Sequence, residues 1–319
     1  MLLSRFIAGM LPVGLLVVGA GVASGQDFPN KPIRIITSLP GGGSDFASRL
    51  IAQGISGPVG QPVIVDNRPS SITGETAMKA QPDGYTLLVD GNSFWFAPLI
   101  QRTPYDVLRD FSPVTIALTA PNIVVVHPSV PANSISELIA FAKGRPGQLN
   151  YGSSGTGSSQ HLAAEMLKSM AGINMVHVPY KGNGPALTGL IAGEIQLLSS
   201  GAAAAAPHMK SGKLRALAVT SAQPSALYPG LPTIAAAGLP GYELVTRTGL
   251  FASGKPPKAT INRLNQEIVR ALNTAEIKEK FFSSGVETVG NSPDEFTAII
   301  KSEVARMDKV IKDAGITAN

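Results

Sequence analysis

Residues 38–45 read SLPGGGSD, directly after the apolar run Ile33–Thr37 and before an amphipathic stretch from Asp45 to Ile55. Three consecutive glycines are entropically costly to order, so a junction of strand and helix that keeps them needs bare backbone. A second stretch has the same build. The run Leu149–Tyr151 is followed by GSSGTGSS at 152–159, then by an amphipathic segment from Gln160 to Met170. There Leu162, Met166 and Met170 keep the i, i+4, i+8 spacing of one buried stripe. Each unit then continues into a further strand, Val63–Val65 in the first and Met175–Val178 in the second. The sequence therefore carries an internal echo, once in each half.

Working outward, β-branched runs at Thr86–Val89, Ile123–Val126, Ile195–Leu198, Leu214–Val219 and Leu244–Phe251 alternate with stretches of helical length. That alternation predicts an α/β protein with mainly parallel sheets. The C-terminal part is helical, with Ile261, Leu264, Ile268 and Leu272 on one stripe. Ser292-Pro293-Asp294-Glu295 is a capping box with proline at the first helical position, and Gly315 stands where that helix should stop.

A helix N-terminus leaves its first N–H groups unpaired and carries a partial positive charge. Glycine ahead of it lets an anion approach the backbone, and serine or threonine hydroxyls add donors, so each loop suits phosphate or carboxylate. Taken singly, either loop is also what a tight strand-to-helix connection requires. Two of them, one per half, fit a ligand held between two lobes at the carboxyl ends of their strands.

The chain has 319 residues, no cysteine and a formal net charge of +5. Without cysteine there is no disulfide, thiolate metal site or thiol nucleophile. Stability must come from a core, which this length can build as two lobes. Arg49, Arg68, Lys79, Lys143, Arg145 and Lys181 stand singly, which speaks against nucleic acid. Residues 1–25 combine Arg5, an apolar stretch from Phe6 and the small residues Ala23-Ser24-Gly25, the build of a secretory signal peptide. No later segment reaches the roughly 18 uninterrupted apolar residues of a spanning helix. The mature chain is expected to be soluble and exported.

Enzyme readings fare poorly. PGGGSD departs from G-x-G-x-x-G because Phe46 stands at the third glycine, no G-x-x-x-x-G-K-[ST] occurs, and 152–159 lacks G-x-S-x-G. His127, His161, His177 and His208 form no i, i+4 pair, so neither metal nor other cofactor is expected. His127 and His177 adjoin β-type runs and read as structural. His161, in the first turn after the second loop, either faces a bound anion or packs inward.

Longer words of the sequence then carry a resemblance. FPNKPIRIITSLPGGGSDFASRLIA, PDGYTLLV at 82–89, YGSSGTGSSQHLAAEMLKSMAGINMVHVPYKGNGPALTGLIAGEIQ at 151–196, GKLRALAVTSAQ at 212–223 and LPTIAAAGLPGYE at 231–243 follow one pattern. It resembles the tripartite tricarboxylate transporter substrate-binding receptors, the Bug-type periplasmic solute-binding proteins, over essentially the whole mature chain. The resemblance implies a two-lobed type II periplasmic binding fold with a ligand cleft between the lobes. One lobe would comprise 26–124 with 236–319, the other 125–235. It further implies a cofactor-free monomer that closes on a small organic carboxylate and delivers it, chemically unchanged, to membrane permease subunits. A sensor co-receptor for a two-component system would use the same site. An exported α/β enzyme would need a nucleophile–base pair that these residues do not supply.

The family's first binding loop falls on Ser38, Pro40, Gly41, Gly42, Gly43, Ser44 and Asp45. Its second falls on Ser153, Ser154, Gly155, Thr156, Gly157, Ser158, Ser159 and His161. A third contact falls on Gly91, Asn92 and Ser93. Four departures bear on the ligand. Leu39 replaces a proline, and the family's glycine-rich stretch becomes the shorter NRPSSITG at 67–74. Where many members carry an acidic residue after Ile195–Leu198, Ser199, Ser200 and Gly201 stand instead, so an amino-acid ligand is expected to be disfavoured. Arg247 is either a bidentate partner for a second carboxylate or a solvated strand-edge arginine. Lost acid and gained base both point toward a dianion, and the expected ligand is a di- or aromatic carboxylate. Trp95, the only tryptophan, either walls the pocket or packs in the core.

Overall fold

The computed structural model describes residues 28–316, so the expected signal peptide lies outside the described residues. The first half runs β1 (Ile33–Thr37), α1 (Gly43–Val59), β2 (Val63–Asn67), α2 (Ser70–Met78), β3 (Thr86–Gly91), α3 (Ser93–Ile100). A short α4 (Val107–Asp110) leads into the long strand β4 (Phe111–Val126) and α5 (Ile135–Lys143). The second half repeats the first order with β5 (Asn150–Ser153), α6 (Ser159–Ala171), β6 (Val176–Pro179), α7 (Asn183–Ile191), β7 (Leu197–Gly201), α8 (Ala202–Lys210). Then follow β8 (Arg215–Val219), β9 (Val245–Ser253), α9 (Lys258–Leu272), α10 (Ala275–Ser283), β10 (Glu287–Thr288) and α11 (Pro293–Ala314).

The strands lie in the order β2-β1-β3-β9-β4-β7-β5-β6, with β8 and β10 also on β4. Around the pair β9-β4, the trio β2-β1-β3 is matched in reverse by β7-β5-β6. The echo read from the two loops is thus an echo of whole βαβαβα units. β1 pairs in parallel with β2 and β3, and β5 in parallel with β6 and β7. The result is a curled, two-lobed α/β fold of the type II periplasmic binding kind.

β4 joins the halves. Phe111 to Pro121 pair with β9, whereas Asn122 to Val126 pair with β7 and β8. The sequence marks only Ile123–Val126 of it as a strand; prolines such as Pro113 and Pro121 are ordinarily confined to strand edges and bulges. In the structure Pro113 sits at a register shift in the β9 pairing, and Pro121 is the residue at which β4 changes partners. Helix α1 begins at Gly43, earlier than the expected Asp45, so Gly43, Ser44 and Asp45 belong to its first turn.

Both faces of the first sheet are covered. Ile33, Ile35, Leu87 and Val89 pack with α1, α9 and α10, while Ile36 and Leu88 face the other way into a core shared with α3, α6 and α11. Val124, Leu162, Met166 and Met307 belong to that second core, which therefore runs through both halves. Met170 stays outside it, 38 % exposed at the end of α6. Trp95 is in this core, and its indole N–H donates to Glu303 at 2.9 Å. The capping box forms as expected, with Ser292 accepting from Glu295 N–H at 3.2 Å and Glu295 accepting from Ser292 N–H at 2.8 Å. No helix of the described residues is long and apolar enough to cross a membrane.

Candidate functional site

Strand register locates the site. β3 runs parallel to β4 and ends at Gly91, which pairs with Thr248, itself opposite Leu118. β7 runs against β4 and ends at Gly201, opposite Asn122. The carboxyl ends of the two parallel trios therefore point at each other across the four residue steps from Leu118 to Asn122, about 13 Å of strand. Six helices begin at these ends: α1, α2 and α3 in the first half, α6, α7 and α8 in the second. Of the six, α6 alone has a side-chain cap; the N-caps Gly42, Pro69, Asn92, Gly182 and Gly201 contribute none. Uncapped first-turn N–H groups are donors awaiting water or a ligand.

In the first half, Ser38, Pro40, Gly41, Gly42, Gly43 and Ser44 form an accessible loop and first turn. Gly41 adopts φ +89°, a conformation that favours glycine, and its N–H donates to Asp45 Oδ2 at 3.0 Å. Asp45 is turned inward and 5 % exposed. It also accepts from Asn67 Nδ2 at 2.8 Å and pairs with Arg49 at 2.9 Å. Burial works against its charge, but the hydrogen bonds from Arg49, Asn67 and Gly41 prevail and hold its carboxyl below the ordinary value. Asp45 thus braces the loop from behind.

The second loop is more densely bonded. Ser153 is buried, its hydroxyl bonded to Gly155 O at 3.0 Å and to His177 Nε2 at 2.7 Å. Ser154 N–H donates to Gln160 Oε1 at 2.8 Å, and Ser158 caps His161 N–H. Gly155 and Gly157 take φ +135° and +76°, leaving the loop hydroxyls of Ser154, Ser158 and Ser159 partly accessible and Thr156 exposed. Gly157 N–H donates to His161 Nδ1 at 3.0 Å. His161 is therefore inward, 5 % exposed, and stacked on His177 with ring centroids 3.9 Å apart. Burial and the neighbouring His177 push its pKa down to about 4, and burial also lowers His177. Both rings are neutral at neutral pH.

Ser200, at the end of β7, donates to Asn183 Oδ1 at 3.3 Å, and the Gln160 amide reaches the same oxygen, which ties the starts of α6 and α7 together. Ser93 is exposed at the start of α3. Asn92 is buried and serves as a joint, its N–H on Arg247 O at 3.0 Å and its Nδ2 on Val245 O at 2.9 Å. The expectation of an Arg247 awaiting a second carboxylate meets a different arrangement. Its guanidinium is held by Glu303 at 2.5 Å and by Glu243 at 2.8 Å. Glu303 was invisible to pattern reading because it lies in α11, far along the chain. Sequence reading also missed Asn67, Gln160, Asn183 and the His177 stack. A turn residue beside a glycine loop, or an amide at a helix start, was the available signal. Among the described residues no three His, Asp or Glu side chains cluster as a metal site.

Comparison with known proteins places the chain in a family. The model of the tripartite tricarboxylate transporter family receptor matches residues 47–316. A Pseudomonas protein known as the UPF0065 protein in the tcbD-tcbE intergenic region is 36 % identical over 92 % of this chain and 89 % of its own. Protein BugT of Bordetella pertussis is 34 % identical over 95 % of this chain and 96 % of its own. Among solved structures, R. palustris Rpa4515 with adipate superposes with a TM-score of 0.75 at 35 % identity, covering 91 % of this chain and 99 % of that one. The chain belongs to the tripartite tricarboxylate transporter family of receptors.

Proposed function

We propose that this protein is a periplasmic receptor that captures a small organic carboxylate between its two lobes and delivers it to tripartite-type permease subunits. The lobes would be 26–124 with 236–319 and 125–235. The observation that carries the reading is the opposition of two trios of helix starts, five of the six uncapped, across a short span of β4. Each trio presents backbone N–H groups and serine hydroxyls, the donor set a carboxylate accepts. Its family membership and the adipate bound to Rpa4515 support the same class of ligand. Closure of the lobes is driven by the ligand's extra affinity for the closed state. Nothing in the donor set performs chemistry on the solute. The sequence argument for a dianion loses weight, since Arg247 is already neutralised by two carboxylates.

A thermal-shift panel of mono-, di- and aromatic carboxylates tests the reading. A bound acid at about 100 times its Kd adds roughly 2.7 kcal/mol to stability. Stabilisation by sugars, with none by any carboxylate, would overturn it.

A further inference from the structure

Sequence reading finds no acid at Ser199–Gly201 to hold an amine; the structure supplies one on another strand. Asp90 is the penultimate residue of β3, and its carboxylate accepts from Thr73 Oγ1 at 2.9 Å and from Gly91 N–H at 2.7 Å. No lysine, arginine or histidine of the described residues pairs with it. It lines a cavity of about 400 Å³ between the starts of α2 and α3 and the stretch 101–105. The cavity also has an aromatic wall, Phe94 and Tyr105, whose rings stack at 4.8 Å. The other charged residue of the lining is Arg102, which is exposed and makes no ion pair among the described residues. Helix α3 borders both this cavity and the second glycine loop: Ser93, Phe94 and Ala97 line the cavity, while Ile100 stands 3.2 Å from where a Cβ on Gly157 would lie.

Burial raises Asp90 to about 6, so at neutral pH the cavity holds a charge that no cation compensates. Burial, and then the charge of Asp90, push the Tyr105 phenol up to about 12, so it stays neutral beside the carboxylate. An uncompensated carboxylate is costly in such a place. A simple anion on the neighbouring backbone donors would add repulsion. A protonated amine relieves both, with a charge-assisted bond to the carboxylate and its positive charge against aromatic faces. A carboxylate beside stacked aromatics is an acceptor set for ammonium.

We propose that this cavity is an ammonium subsite, so that the captured carboxylate carries a protonated amine remote from its acid group. The inference rests on the carboxylate-clamp reading above and reverses the expectation that an amino-acid ligand is disfavoured. It is tested by calorimetry and thermal shift at about pH 7.5. The probes are butyrate, hexanoate, 4-aminobutyrate, 6-aminohexanoate, adipate and hexylamine, against the wild type, Asp90→Asn and Arg102→Ala. At least one amino acid should bind the wild type about tenfold or more tighter than the plain acid of its length. Asp90→Asn should lose that advantage, retain the plain acid and melt higher than wild type without ligand; Arg102→Ala should keep the advantage. Equal binding of plain and amino acids overturns the proposal, as does a preference that survives Asp90→Asn. So does a preference for adipate that Arg102→Ala removes. If no acid binds while hexylamine stabilises wild type and not Asp90→Asn, the subsite stands and the clamp falls.

Discussion

The two halves meet the same local need with different chemistry. In each, the residue just before the N-cap of the first helix is a left-handed glycine, and the third helical residue accepts its N–H. In the first half that acceptor is Asp45, charged and neutralised by Arg49; in the second it is His161, neutral and stacked on His177. A carboxylate at a helix start already occupies the favourable potential there, whereas a neutral imidazole leaves it open. The second loop is also braced by Ser153, Ser158 and Gln160, so its donors are ordered before any ligand arrives. On the function proposed above, the second half would be the electrostatic seat for the anion and the first half a lighter, more exposed cover.

Replacing the neutral acceptor is the strongest way to break this contrast. His161→Asp puts a second negative charge behind the second loop, near Glu165, and should weaken carboxylate binding about 100-fold, roughly 3 kcal/mol, by calorimetry. His161→Gln keeps an acceptor and should cost far less. Equal losses in the two variants would mean that charge is not what separates the halves.

Acid should expose the same contrast in stability. His161 titrates lower in the folded protein than its ordinary 6.5, near 4. The unfolded chain therefore takes up this proton first. Its contribution is complete above pH 6.5 and is lost as the pH falls toward 4, by up to about 3 kcal/mol. Melting temperature followed across that window should drop in wild type and flatten in His161→Gln; parallel curves would assign acid lability elsewhere.

Asp45→Asn sharpens the comparison from the other side. It keeps an acceptor for Gly41 but loses the pair with Arg49, and should lower stability by about 1 kcal/mol while tightening carboxylate binding a few-fold. Weaker binding would mean that the charge of Asp45 assists the ligand. The smallest effect belongs to Leu39, 57 % exposed where the family resemblance leads one to expect proline. Leu39→Ala should change stability by less than about 0.5 kcal/mol and affinity by less than about twofold. A larger loss would show that the first loop grips the ligand through this side chain.

The repeated architecture was legible because glycine loops before amphipathic segments are local patterns, and both units carry one. The extent of β4 was hidden, since prolines such as Pro113 and Pro121 are unusual inside a strand until bulges and a change of partner accommodate them. Site chemistry was legible only where it was local. The donor loops stood out, but the fate of Arg247 depends on Glu303 and that of His161 on His177, and folding alone brings those residues together. Asp90 gave no signal at all, because an aspartate at a strand end is ordinary until it lines a cavity without a cation.

Pro121 and Asn122 give β4 a mechanical character. Pro121 has no N–H to contribute to the ladder, and Asn122 N–H bonds to the Thr220 hydroxyl at 2.9 Å, a rotatable side-chain acceptor. Where the strand passes from one sheet to the other, two successive residues hold no ladder bond through their amides. Rotation there need not tear a sheet apart. For the closure proposed above, β4 would be a beam at either end and a bearing at its centre, where Thr220 N–H to Asn122 O at 2.9 Å is a backbone bond that holds the passage together.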